Sequence, residues 1–285
     1  MANSDYKFRA SATLATVAPL SAGVNPAATR FMLQRIIGND PSTVVAGSAA
    51  MIDNEVVKIV AVGAGYVDVD RGCADTIPAP HSTGALIWFL HQSFGYDTQE
   101  YVTGESVAVK ILVKSGAKRM AIENSPPQDL TFVGRAFRPY PPGNVLIDGT
   151  PWFSRRTLSE AHTELVFTWA HRDRLLQADI LTGHQAGNIG PEPGTTYTVR
   201  VHKGDGTQVY QVVGITGTTF TYTVASARTH LAVGTNDSAI PGYITLTSVR
   251  GSVESLQRYR TDILVSGSGI SLKRWGVSWG TSWAQ

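Results

Sequence analysis

A chain of 285 residues has room for two or three modest domains, each with its own core. Its composition is that of a globular protein, 42% hydrophobic and only 16% charged, and a formal net charge of +2 leaves no global field to draw it to nucleic acid or a membrane surface. The single cysteine, Cys73, excludes an internal disulfide framework and any cysteine-based zinc site within one chain, while 28 Gly and 14 Pro with a great deal of Thr and Val favour strands and turns.

The N-terminal stretch, MANSDYKFRASATLATVAPLSAG, lacks the uninterrupted apolar core of a signal peptide, and no apolar run is long enough to span a bilayer. Folding in a cytoplasm is expected. Residues 25–38, NPAATRFMLQRIIG, carry Pro just after Asn25 and Gly38 at the end, which predicts a short helix, with a strand as the other reading. LSEAHTELVF (158–167) and RDRLLQADIL (172–181) are weaker helix candidates.

From Ala50 to Phe89 three strands are predicted: AMIDNEVVKIVAV, GYVDVDRG and GALIWFL, with Gly63 and Gly65 turning between the first two. They suggest a small β-barrel or open sheet within an N-terminal module of residues 1–92. A middle module, 93–157, begins with SVAVKILVKSG, where Val107, Val109, Ile111 and Val113 share one face. Strands follow around Leu130–Phe137 and Asn144–Ile147, separated by the Pro-stiffened connector RPYPPG, Arg138 to Gly143. Residues 158–266 hold six or seven strand candidates, punctuated by GPEPG, KGDG and TNDSAIPG. With Trp169 as an early core-facing residue, that is the pattern of a fibronectin-type-III-like sandwich. Residues 267–285 form an extended C-terminal arm. The expected fold class is all-β and multidomain.

The stretch VDVDRGCADTIPAPHSTGALIWF (67–89) holds Cys73, His81 and three aspartates. A catalytic reading pairs Cys73 with His81 as nucleophile and base, supported by Asp75. Nothing in the spacing forces the two together. The favoured reading is a structural turn: Arg71-Gly72 leaves a strand, Asp75-Thr76 caps a turn through side-chain-to-backbone bonds, and His81 fixes the return toward Gly84. His171-Arg172-Asp173 matches a kinase tripeptide without its context, since Ala178 stands where the metal-binding Asn belongs. It reads instead as a charged strand end with local ion pairs. The Gly63–Gly65 repeat has no helix after it, and KGDG (203–206) is first of all a hairpin turn. The seven histidines are scattered without metal-ligand spacing, so no metal or cofactor is expected.

In the arm, Trp275, Trp279 and Trp283 recur every four residues, which places all three on one face of an extended segment. Three same-face indoles are costly to leave in water. The arm is expected either to fold back on its own sandwich or to dock on a neighbouring subunit.

Asp53-Asn54-Glu55, followed by Val67, Val69, Arg71-Gly72, Thr76, His81 and Gly84, resembles a small β module of tail proteins in tailed bacteriophages. The family has Gly-Thr where this chain has Asp75-Thr76, a departure that falls in the turn. LTFVGRAFRPYPPGNVLIDG, FTWAHRDRLLQAD and GPEPGTTYTVRV are similar to a block of phage tail and virion proteins in which a fibronectin-type sandwich follows an RPYPPG linker. The resemblance covers roughly residues 50 to 265 and leaves out the first 45 residues and the Trp-rich arm. It implies a non-enzymatic structural component of a virion tail, assembled in the bacterial cytoplasm, and no catalytic residue comes with it. The partners it implies are other tail proteins and further copies of the chain in a symmetric ring, with no direct nucleic-acid contact and no membrane insertion. The other reading is a module that attaches to a host-surface receptor or glycan.

Overall fold

The computed structural model describes residues 5–37, 44–93 and 95–269. The protein is all-β. It divides into two compact units, residues 1–75 with 79–138, and residues 76–78 with 139–285. The three arm tryptophans, Trp275, Trp279 and Trp283, lie outside the described residues.

The first unit is built on β1 (Thr16–Pro19), β2 (Arg30–Met32), β3 (Ala49–Ile52), β4 (Glu55–Gly63), β5 (Tyr66–Asp70) and β6 (Leu86–Phe89). They form one antiparallel sheet in the order β1-β6-β3-β4-β5-β2. Bridges from Val17 to Ile37 and from Leu20 to Leu33 tie β1 to the chain that follows β2, so the two edges of the sheet meet. Strict alternation drives this closure. Ala50 and Ile52, Val57 and Ile59, Val67 and Val69, and Ile87 and Phe89 all point into one core that also holds Leu20 and Phe31.

Residues 95–137 carry the smaller pieces: β7 (Ser106–Val109), β8 (Lys114–Ser115), β9 (Lys118–Arg119) and β10 (Gln128–Thr131). Among the described residues, β7 pairs only with β10, and β8 only with β9.

The second unit contains β11 (Gly143–Ile147), β12 (Thr150–Pro151), β13 (Arg156–Leu158), β14 (Glu164–Ala170), β15 (Thr195–Lys203), β16 (Gln208–Ile215), β17 (Thr219–Thr223), α1 (Val224–Leu231), β18 (Ile240–Arg250), β19 (Val253–Glu254) and β20 (Tyr259–Val265). One sheet runs β12-β11-β14-β17 and the other β13-β20-β18-β15-β16, with β19 beside β18. Setting aside the short strands, this is A-B-E against C′-C-F-G, the strand order of a fibronectin-type-III-like sandwich. Trp169, Tyr197, Leu246 and Ile263 lie in the core between the sheets, with the Trp169 ring edge-on to Tyr197 at 5.2 Å. Helix α1 fills the connection between β17 and β18. Thr223 caps it by accepting the Ser226 amide, and Val224, Ala227 and Leu231 are its buried residues.

Several expectations are corrected. Residues 25–37 are not a helix. Asn25 Oδ1 accepts the Ala27 amide in a tight turn that imitates a helix cap, and the chain then extends with Phe31 buried between exposed Arg30 and Met32. LSEAHTELVF leads into β14, and RDRLLQADIL is a run of turns. AMIDNEVVKIVAV is two strands, because Asp53-Asn54 make a hairpin turn with Asp53 at φ 48°. Only Ser106–Val109 of SVAVKILVKSG belongs to the β7–β10 sheet, and Arg135–Phe137 form a 3₁₀ turn. Strand β11, expected in the middle module, pairs with β14 instead, and β13 pairs with β20. The boundary expected at 157/158 therefore falls at residues 138–139, inside the RPYPPG connector. Among the described residues no helix is long and apolar enough to cross a membrane.

Candidate functional site

Five residues of the Arg-Gly motif, Asp53, Glu55, Arg71, Gly72 and His81, converge within the first unit. The Asp53-Asn54 turn starts β4 at Glu55 with its side chain on the core face, in phase with Val57 and Ile59. Strand β5 points Val67 and Val69 inward, and the same alternation carries Arg71 inward one step past the strand end. Glu55 and Arg71 are both essentially buried, 1% and 3% exposed. Two charges removed from water in this way are stable only as a pair with every remaining hydrogen-bonding position filled.

Filling is what the geometry shows. Arg71 Nε and Nη2 donate to the two Glu55 oxygens at 2.7 and 2.8 Å in a two-pronged contact. Arg71 Nη1 donates to the carbonyls of Asn25 and Ala28 at 3.0 and 2.8 Å, and Nη2 donates also to that of Ala79 at 2.5 Å. These bonds use all five guanidinium donors. Glu55 further accepts the amides of Gly72 at 2.8 Å and Ala79 at 2.9 Å. Gly72 sits at φ 56°, a left-handed conformation that turns its amide back toward the carboxylate.

His81 completes the cluster. Its backbone bridges Val24 with two 2.9 Å hydrogen bonds, and its fully buried side chain lies with Nε2 2.9 Å from Glu55 Oε2 and Nδ1 2.7 Å from Asp53 Oδ2. Phe31 meets the His81 ring edge-on, and the Arg71 guanidinium lies over the Phe31 ring at 5.0 Å. Burial alone would push the Glu55 carboxyl up. Hydrogen bonds from Arg71 and His81, the Arg71 charge and the Ala79 amide outweigh it and hold the carboxyl at about 2.

This arrangement overturns the nucleophile–base reading of Cys73 and His81. Both His81 nitrogens are engaged by carboxylates. Cys73 is buried, its amide bonded to the Val56 carbonyl and its sulfur 3.5 Å from the Asp70 carbonyl oxygen. Asp75 does not act mainly as a turn cap; it is buried against the guanidinium of Arg135. Thr76 is fully buried and groups with the second unit. Gly84, at φ 84°, turns the chain into β6. Glu55 and Asp53 are the members that the spacing did not single out as site residues. The available signal was a charged residue in phase with Val57 and Ile59. Among the described residues, no group of three or more His, Cys, Asp or Glu side chains is placed to hold a metal ion.

The tripeptide at 171–173 also becomes structural, with different partners from those expected. His171 Nδ1 lies 2.6 Å from the Tyr197 hydroxyl, and burial pushes the His171 imidazole down and the Tyr197 phenol up. Asp173 accepts the amides of Leu175 and Leu176. Arg172 stacks on Tyr140, while Arg174 and Arg250 both approach the buried Glu192, at 3.0 and 3.1 Å. The expected local ion pairs are thus long-range ones. KGDG closes the β15–β16 hairpin, with Asp205 accepting the Thr207 amide at 2.8 Å.

No family model and no curated protein matches the chain. Solved structures with some likeness include an Fn3-like protein from Clostridium thermocellum, at 15% identity and a TM-score of 0.23, covering 47% of this chain and 97% of that one. The FN1–FN3 domains of chicken CNTN1 share 9% identity at a TM-score of 0.24, over 90% of this chain and 67% of that one. The BSP domain of a biofilm-associated protein shares 12% at 0.22, over 90% of this chain and 30% of that one. Likenesses this low carry nothing about activity, and the fibronectin-type character of the second unit rests on its own strand order.

Proposed function

We propose that this protein is a structural subunit of a bacteriophage virion tail, present in several copies and joining neighbouring tail proteins without catalysing a reaction. The observation that carries this reading is the use made of the motif residues by which the chain resembles phage tail modules. Asp53, Glu55, Arg71, Gly72 and His81 bond to one another and to the loop backbone. A set of groups so fully occupied holds a loop in one shape, which is the service a scaffold module needs. Trp275, Trp279 and Trp283, recurring every four residues, are an apolar set of a composition suited to docking on another subunit.

The experiment is sedimentation velocity on the purified full chain and on a chain ending at residue 266. A closed oligomer for the full chain and weaker association for the truncated one are expected. A full chain that stays monomeric at every concentration reached would overturn the multi-copy reading and turn attention to host-surface binding.

A further inference from the structure

Residues 95–137 are unlike the six-stranded sheet of the first unit. Their one buried residue is Ser125, and they contribute no side chain to the hydrophobic core. Large apolar side chains stand in water instead: Val102, Ile111, Val113, Leu130 and Phe137, with Ile111 70% and Phe137 66% exposed. A two-stranded sheet and a short hairpin without a buried face are marginal structures in water. A concentration of apolar surface of this kind marks a contact with another macromolecule.

Charge indicates which one. Residues 97–105 hold Asp97, Glu100 and Glu105 and no basic residue, whereas residues 110–119 hold Lys110, Lys114, Lys118 and Arg119 and no acidic one. Among the described residues no carboxylate lies within ion-pair reach of Lys114, Lys118 or Arg119. One segment thus carries a basic end and an acidic end with apolar side chains near both, and it is complementary to a copy of itself.

We propose that residues 95–137 are a docking surface for a second copy of this chain. The contact is head-to-tail: the β8–β9 hairpin of one copy lies against residues 97–105 of the next, and the apolar side chains are covered between them. A contact of this type repeats from copy to copy and closes into a ring when the rotation allows. The inference rests on the multi-copy reading above and names where the copies meet.

The test uses the full chain with two charge reversals, Lys114→Glu with Arg119→Glu, and Glu100→Lys with Glu105→Lys. Association is read by sedimentation velocity and folding by circular dichroism. Each double variant should associate at least about tenfold more weakly than the unaltered chain, in line with the energy of interfacial charge pairs. An equimolar mixture of the two should recover association, because each reversed end then faces a complementary one. Recovery also shows that both variants are folded. Variants that associate like the unaltered chain, or a mixture that stays dissociated, would overturn the proposal. If removing residues 267–285 abolishes association while the charge reversals leave it intact, the copies meet through the Trp arm; the multi-copy reading then stands and this docking surface falls. A monomeric full chain would remove both.

Discussion

Two stretches of the first unit, residues 49–89 and 95–137, have similar length and similar β-rich sequence, and the chain treats them in opposite ways. In the first, every inward position is used, including two where charged side chains are buried and saturated with partners. In the second, alternating Val and Ile produce short strands with no buried face. The difference lies in what covers each stretch. The 49–89 strands sit inside a six-stranded sheet whose edges meet, so one face of each is sealed. The 106–131 strands have a single neighbour, and alternation alone cannot exclude water. A hydrophobic pattern states which face would be buried, and tertiary or quaternary partners decide whether it is.

The largest break in this contrast is expected from Arg71→Met. It strands the Glu55 carboxylate in the core without its charge partner, and loss of one member of a buried pair costs about 3–5 kcal/mol. Hydrogen exchange resolved by peptide should show the loss across 55–89 and little change across 106–131.

Acid should act on the same region. The Glu55 carboxyl is held at about 2 when folded, against 4.5 as its ordinary value. A depressed carboxyl contributes stability that is fully present above its unfolded value and is lost as pH falls through the folded one. The window is therefore pH 4.5 down to 2, and the loss amounts to about 3 kcal/mol. Exchange rates measured from pH 6 to 2, corrected for intrinsic chemistry, should show 55–89 losing protection before the fibronectin-type core does. Unchanged protection down to pH 2 would mean that the network does not hold the loop.

A smaller effect is expected where the two stretches are joined by the Asp75–Arg135 ion pair, whose arginine is half-exposed. Arg135→Ala should cost about 1 kcal/mol, because water screens the exposed partner. The same measurement should show loosening of 132–137 first. The smallest effect belongs to Ile111→Ser combined with Val113→Ser. Both side chains are exposed in the single chain, so the monomer's thermal midpoint should barely move, by the equivalent of less than about 0.5 kcal/mol. A larger drop would show that the segment has a core after all.

Much of the architecture was legible without coordinates. Strict alternation at 66–70 and 195–203 named strands that exist, and GPEPG and KGDG marked real turns. Where the reading failed, a local signal had two meanings. Asn25-Pro26 imitates a helix cap, yet the Phe31 and Leu33 positions are needed in the barrel-like core, and packing outweighs a short helix's weak propensity. The helix at 224–231 has only eight residues and only three buried side chains, so its apolar pattern was too slight to stand out from the strand before it. The division at 138–139 was obscured because β11 lies just past the prolines while its pairing partner β14 is about twenty residues further on.

By itself, the sequence determined an all-β chain of more than one unit and a fibronectin-type strand pattern after a proline-stiffened connector, and it singled out the motif at 53–84. Periodicity and turn chemistry are local properties, written in neighbouring residues. Only the tertiary structure decided that Glu55 is the hub of that motif, that His81 spans two carboxylates, that Asp75 pairs with Arg135, and that 95–137 stands without a core. Each of these depends on side chains brought together from tens of residues apart, and on which faces remain open to water once the sheets have closed.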